Sequence, residues 1–197
     1  MRADPGFTAL RTDRLSLRRS QPGDADAISA YRSDPDVHIH QGWGKTDPDH
    51  VRGEIEQMLR RAPGEPGGWV QFTVETLDEG TLVGDVGLCL DREDAGVVLV
   101  GYTMAPASQG RGYATEAIRA LVDYALDTLD ADVVRAYASA DNIASVRVAD
   151  KAGLLVVERF EASDDDGAWH GVRMERRRTP NREGLQHRDR DGDAHRA

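Results

Sequence analysis

Apolar and polar positions alternate from Leu10 to Leu17, which predicts an opening strand. Pro22-Gly23-Asp24 then supplies a turn and an N-cap for a helix from about Asp24 to Ser33, and Ser33-Asp34-Pro35 ends it. The stretch from Val37 to Lys45 carries no period. Thr46-Asp47-Pro48 reads as a cap with proline in the first turn of a helix running to about Arg61, and the glycines and prolines of Ala62 to Gly68 make a loop. Three strand-like runs follow, Trp69 to Thr76, Leu82 to Leu90 and Val97 to Met104, parted by Asp78-Glu79-Gly80 and by Asp91 to Gly96. Their short spacing predicts an antiparallel meander. Beyond them the pattern predicts a helix over Thr115 to Leu129, a strand over Val133 to Ala140, a helix over Asn142 to Lys151, and strands over Leu154 to Phe160 and Ala168 to Arg177 on either side of an acidic turn.

At 197 residues the chain suits one well-cored domain. We place it over residues 8–177, followed by a charged tail over 178–197 with too little apolar surface to offset its ordering entropy, hence disordered. No apolar run approaches the ~20 residues of a membrane span, and the first ten residues lack the pattern of a secretory leader. A cytoplasmic protein without membrane contact is expected. The net charge of −10 argues against general nucleic-acid binding. From Arg176 onward there are seven arginines and four acids, so the body holds 18 basic and 31 acidic residues. An acidic body suits a cationic amine or a basic peptide as partner, though a plain solvated surface has the same composition. Cys89, the single cysteine, excludes an internal disulfide framework and reads as a small buried hydrophobe. His38 and His40, two apart, lack a third ligand, and no metal is expected.

The candidate chemistry begins at Gln109-Gly110-Arg111-Gly112-Tyr113-Ala114, between the Val97 to Met104 strand and the following helix. A glycine-rich turn there points consecutive N–H groups, and the positive end of the helix, into one space suited to a pyrophosphate. Neither the nucleotide pattern GxxxxGK[ST] nor a GxGxxG after an early strand is present. The segment resembles instead the [Q/R]-x-x-G-x-[G/A] signature of the GCN5-related N-acetyltransferases (GNAT), with Gln109, Gly112 and Ala114 on its defining positions. Asn142-Ile143-Ala144-Ser145 through Lys151-Ala152-Gly153-Leu154 is similar to the family's asparagine helix. Thr12 to Arg18, Gly101-Tyr102 and Ala114-Thr115-Glu116-Ala117 resemble the branch containing the ribosomal-protein alanine N-acetyltransferases. The resemblance covers about residues 8 to 177.

It implies a GNAT fold of α/β (α+β) class, a mixed, mostly antiparallel seven-stranded sheet flanked by about four helices. It also implies transfer of an acetyl group from acetyl-CoA, as cosubstrate and without a metal, to a primary amine by direct attack in a ternary complex. The acceptor would be a protein N-terminus or a small cationic amine such as an aminoglycoside or a polyamine. The backbone at Thr103 and Met104 would bond the pantetheine arm and polarise the thioester carbonyl, and Gln109, Gly110, Arg111, Gly112, Tyr113, Ala114 and Thr115 would hold the pyrophosphate. Arg111 reads equally as a solvent-facing arginine. Asn142 would bond the cofactor arm, and is also an ordinary N-cap.

The chain departs from the family in having Ala149 seven positions after Asn142, where many members carry a tyrosine as proton donor. Ser145 could supply a hydroxyl, as is suggested for the ribosomal-protein branch, or could simply leave room for the cofactor. For the base, Glu75, Asp85, Glu116 and Glu158 all fall near elements expected to flank the cleft. Asp85, in an apolar strand, should face either water or a functional cleft. A glutamate common in the branch is replaced by Leu99. Trp43 and Trp169 lie where acceptor selection resides in this fold, and ordinary packing explains each as well. Homodimers are common in the branch. A second reading survives, that of a catalytically impaired CoA-binding sensor or interaction module.

Overall fold

The computed structural model describes residues 1–39, 44, 46–164 and 167–179. Strands β1 (Ala9–Arg11), β2 (Leu15–Arg19), β3 (Val70–Thr76), β4 (Leu82–Leu90), β5 (Val97–Met104), β6 (Val133–Ser139), β7 (Leu155–Asp164) and β8 (Gly167–Arg177) form one sheet in the order β1-β2-β3-β4-β5-β6-β8-β7. Every neighbouring pair is antiparallel except β5 and β6, which run parallel. The helices are α1 (Ala25–Arg32), α2 (Pro35–His38), α3 (Pro48–Met58), α4 (Tyr113–Asp127) and α5 (Ile143–Lys151).

The described sheet has eight strands rather than seven because the opening run is a hairpin. The alternation from Leu10 to Leu17 passes through a tight turn at residues 12–14, where the Thr12 N–H donates to the Leu15 carbonyl and the Leu15 N–H donates to Thr12 Oγ1. Helix α1 ends at Arg32 with Ser33 as its C-cap, as expected, and Asp34 then caps the single turn α2, its carboxylate accepting from the Asp36 N–H. Asp47 caps α3 in the same way. His40, Gly42 and Trp43 lie outside the described residues, as does the tail from Pro180 onward.

Helix α4 buries Ala117, Ile118, Leu121 and Val122 against Val86, Leu88, Val98 and Val100 of the central strands. A second cluster, Ala25, Ile28, Tyr31, Val51 and Ile55, joins α1 to α3. Residues before the expected start at 8 belong to the same body. Phe7 packs edge-on against Phe72 and Tyr124, and the Arg2 N–H donates to the Leu129 carbonyl.

The functional region is prepared where the sheet divides. Strand β5 pairs with β4 from Val98 to Met104, but its parallel register with β6 is confined to Val97–Leu99 opposite Val133–Arg135. Past that point β5 stays with β4 while β6 runs with β8 as far as Ser139. The closed end of the resulting V is tied by Arg135 of β6. Its guanidinium donates to Asp91 and Asp94 in the β4–β5 turn and to Glu175 of β8, at 3.2, 2.9 and 2.8 Å.

Candidate active site

Loop and helix meet at two glycines in the left-handed region, Gly110 at φ +72° and Gly112 at φ +82°. L-residues with a Cβ enter this region at a cost, so glycine is what lets the turn close directly onto α4. Gly112 is the N-cap, which moves the start of the helix to Tyr113, two residues earlier than the apolar period indicates. Among the described residues, the backbone N–H groups from Gly110 to Thr115 find no protein acceptor, and the first donor satisfied is that of Glu116, on the Gly112 carbonyl. A Cβ added at Gly110 would meet nothing within 4 Å, and one at Gly112 only Arg14 Nη2 at 3.4 Å. The space in front of the glycines is therefore open and lined with donors, as an anion cradle requires.

The cradle's surroundings are basic. Arg14, from the hairpin turn, and Arg111 both stack on the Tyr113 ring, at 4.8 and 5.0 Å from its centroid. Arg14 also donates to the Arg111 carbonyl and pairs with Glu116 at 2.6 Å. Glu116 further accepts from Thr12 Oγ1 at 2.6 Å. Burial raises the Glu116 carboxyl, but the Thr12 and Arg14 hydrogen bonds outweigh it and hold the group below its ordinary value. A negative charge in the first turn of the cradle helix is thus neutralised before any anion arrives. The sequence offered no sign of Arg14 here, because a hairpin about 100 residues away brings it. Gln109 turns inward, its amide donating to the Met104 carbonyl at 3.3 Å and tying the loop to the end of β5.

The V between β5 and β6 opens into a cleft of about 550 Å³ counting its mouth, with Gly101 and Tyr102 on one wall, Ala136 to Ser139 on the other, and Asn142, Ser145 and Ala149 of α5 above. Asn142 Oδ1 accepts from the Ser145 N–H at 3.0 Å, so the cap reading of Asn142 holds, and its side chain also lines the cleft. The Tyr102 hydroxyl, a residue not singled out for chemistry from sequence, donates to Ser145 Oγ at 3.0 Å. Burial pushes the Tyr102 phenol above its ordinary value and the Ser145 hydrogen bond offsets this only in part, so the phenol is protonated at neutral pH.

The four carboxylates considered as bases are all engaged. Glu75 pairs with Arg18, Glu116 with Arg14, and Glu158 with Arg173. Asp85 faces neither water nor an open cleft. It is buried, accepts a hydrogen bond from the Tyr31 phenol and lies 3.6 Å from Arg32. The physical reason is that β4 is an inner strand, and α1 lays a phenol and a guanidinium over it. Trp169 stands edge-on to Phe160, which stands edge-on to Tyr137, a row of aromatic side chains on β6, β7 and β8. Cys89 is buried, which raises its thiol pKa. Among the described residues no group of three His, Cys, Asp or Glu stands close enough to hold a metal ion, and no helix is long and apolar enough to cross a membrane.

Comparison with known proteins agrees with this architecture. Residues 14–155 match the model of the acetyltransferase (GNAT) domain. The chain belongs to this acetyltransferase family, and its fold is the GNAT fold. It is 29% identical over 152 residues to an uncharacterized N-acetyltransferase, p20, of Bacillus licheniformis, covering 74% of this chain and 84% of that one. Among solved structures, a GNAT-family acetyltransferase from Bacillus anthracis superposes with a TM-score of 0.76 at 21% identity, covering 86% of this chain and 98% of that one. A ribosomal-protein-S5-alanine acetyltransferase from Vibrio fischeri superposes with a TM-score of 0.74 at 16% identity, over 88% and 98% of the two chains.

Proposed function

We propose that the protein transfers an acetyl group from acetyl-CoA to a primary amine, without a metal. The observation that carries this reading is the run of N–H groups from Gly110 to Thr115 that find no acceptor among the described residues and open beside the divided strands. The cradle fits a pyrophosphate. Its N–H groups would hold the phosphates, with Arg111 and Arg14 adding positive charge, while the backbone at Thr103 and Met104 and the Asn142 side chain would take the amide-rich arm. A backbone N–H at the end of β5 would polarise the acyl carbonyl. Bound acetyl-CoA supplies a thioester whose sulfur is a good leaving group, so the chain's own tasks are to position, to accept the amine proton and to return a proton to sulfur. With Glu75, Asp85, Glu116 and Glu158 all paired, the amine proton leaves through water.

The acceptor is a protein N-terminus or a small cationic amine. The acidic body supports both, and the likeness to the Vibrio fischeri enzyme, whose name gives a ribosomal protein as substrate, supports the first. The domain spans 8–177 with its N-terminal residues packed on it. We infer a cytoplasmic location from the sequence pattern and a homodimer from the resemblance to the branch.

The test is calorimetric titration with acetyl-CoA of the wild type and of Gly112→Glu, whose carboxylate would fill the cradle, followed by a screen of peptide N-termini, polyamines and aminoglycosides for acetylated product. Binding lost in the variant and product from one amine class support the reading, and a folded wild type that binds no acetyl-CoA overturns it. Binding without turnover on any amine would instead support a sensor or interaction module, a reading favoured by the pairing of all four carboxylates.

A further inference from the structure

Tyr102 and Ser145 come from two of the elements that line the cleft, β5 and α5, and are 43 residues apart in sequence, yet their oxygens lie 3.0 Å from each other. The Asn142 cap fixes the backbone of Ser145, which leaves the rotation of its Cβ–Oγ arm as the remaining freedom. The Tyr102 hydrogen bond restricts that freedom too. One helical turn further on, Ala149 presents only a methyl group to the same cleft.

An alcohol alone is a poor source of protons, since giving one up leaves an alkoxide in a partly closed site. A phenol ordinarily ionises near pH 10 and a thiol near about 8.5, and although burial raises Tyr102 above the ordinary phenol value, a phenol is still the better matched of the two hydroxyls to a departing thiolate. We propose that Tyr102 is a positioning residue that holds the Ser145 hydroxyl in place and resupplies it with a proton, so that the two hydroxyls act as one relay to the leaving sulfur. The proposal rests on the acetyl-transfer reading above. As the amine nitrogen bonds to the acyl carbon, the carbon–sulfur bond breaks and sulfur keeps the electron pair. The amine's surplus proton goes to water, the Ser145 proton goes to sulfur, and the Tyr102 proton goes to Ser145 Oγ. Water at the mouth of the cleft then reprotonates the phenolate, which closes the cycle.

The experiment compares Tyr102→Phe, Ser145→Ala and the double variant, using the amine found in the acceptor screen. Tyr102→Phe is expected to lower kcat about tenfold or more while the acetyl-CoA Kd and the acceptor KM stay within about twofold. The double variant is expected to be no slower than Ser145→Ala, because the phenol acts only through the serine. In the protein without substrates, the 13Cζ resonance of Tyr102, identified by its absence in Tyr102→Phe, should shift in Ser145→Ala. It should return toward its original position in Ser145→Thr, which restores a hydroxyl and with it part of kcat. Wild-type kcat in Tyr102→Phe, or losses that multiply in the double variant, would overturn the relay. A wild type that makes no product from any amine overturns the transfer reading itself, a result distinct from loss in the variants alone.

Discussion

The carboxylate of Asp85 illustrates how a residue's role changes when its partners come from elsewhere in the chain. In the strand Leu82-Val83-Gly84-Asp85-Val86 it is an isolated charge among apolar neighbours, and sequence allows it either solvent or chemistry. Tyr31 and Arg32, more than 50 residues earlier, give it a hydrogen bond and a charge, and burial pushes the Tyr31 phenol well above its ordinary value with the Asp85 charge adding to the effect. Removing one member of such a group leaves the others buried and unmatched. Asp85→Asn is therefore expected to cost about 3 kcal/mol of stability, and Tyr31→Phe about 1–3 kcal/mol, as read from urea midpoints. At Gly112 the expected loss has a different origin. A Cβ at φ +82° costs about 1 kcal/mol of backbone strain and stands in the cradle, so Gly112→Ala should weaken acetyl-CoA binding by calorimetry more than it lowers the unfolding midpoint.

Among the elements, those with uninterrupted local patterns were legible. β4 and β5 occur where the apolar runs Leu82 to Leu90 and Val97 to Met104 place them, and α5 follows its asparagine cap. The opening hairpin was hard to read, because the only local sign of it is that Leu10 and Leu15 stand an odd number of positions apart across the polar residues 11–14, while the bonds that close the turn come from a threonine side chain and a distant helix. That hairpin is the element that carries Arg14 to the cradle. Since the Glu116 carboxyl is held below the ordinary unfolded value of about 4.3, its contribution to stability is complete above that pH and is lost as pH falls through the lower folded value. Wild-type stability should thus drop more steeply between about pH 5 and pH 3 than that of Glu116→Gln, when urea midpoints are compared across that range. Arg14→Ala should loosen the same contact and weaken acetyl-CoA binding, with a salt dependence smaller than that of the wild type.

For the whole molecule, the family and the cradle were readable because a short loop pattern and one helix are local, and the GNAT fold they imply is the fold observed. The Tyr102–Ser145 contact was not, since it exists only once α5 is laid over the cleft beside β5. The sequence from residue 180 to 197 holds too little apolar surface to offset its ordering entropy, so a chain shortened to Thr179 is expected to unfold at the temperature of the full chain and to bind acetyl-CoA equally, as scanning calorimetry and titration would show.

The Arg135 tie gives the divided sheet a mechanical character. Three acids on two sides of the closed end hold one guanidinium, at the point from which β5 and β6 diverge. Arg135→Met, which leaves every cleft side chain in place, should broaden relaxation-dispersion signals of residues 100–104 and relax selection among acyl groups of different length. The grip of this protein on its donor would then be adjusted from the closed end of the cleft, by a residue outside its lining.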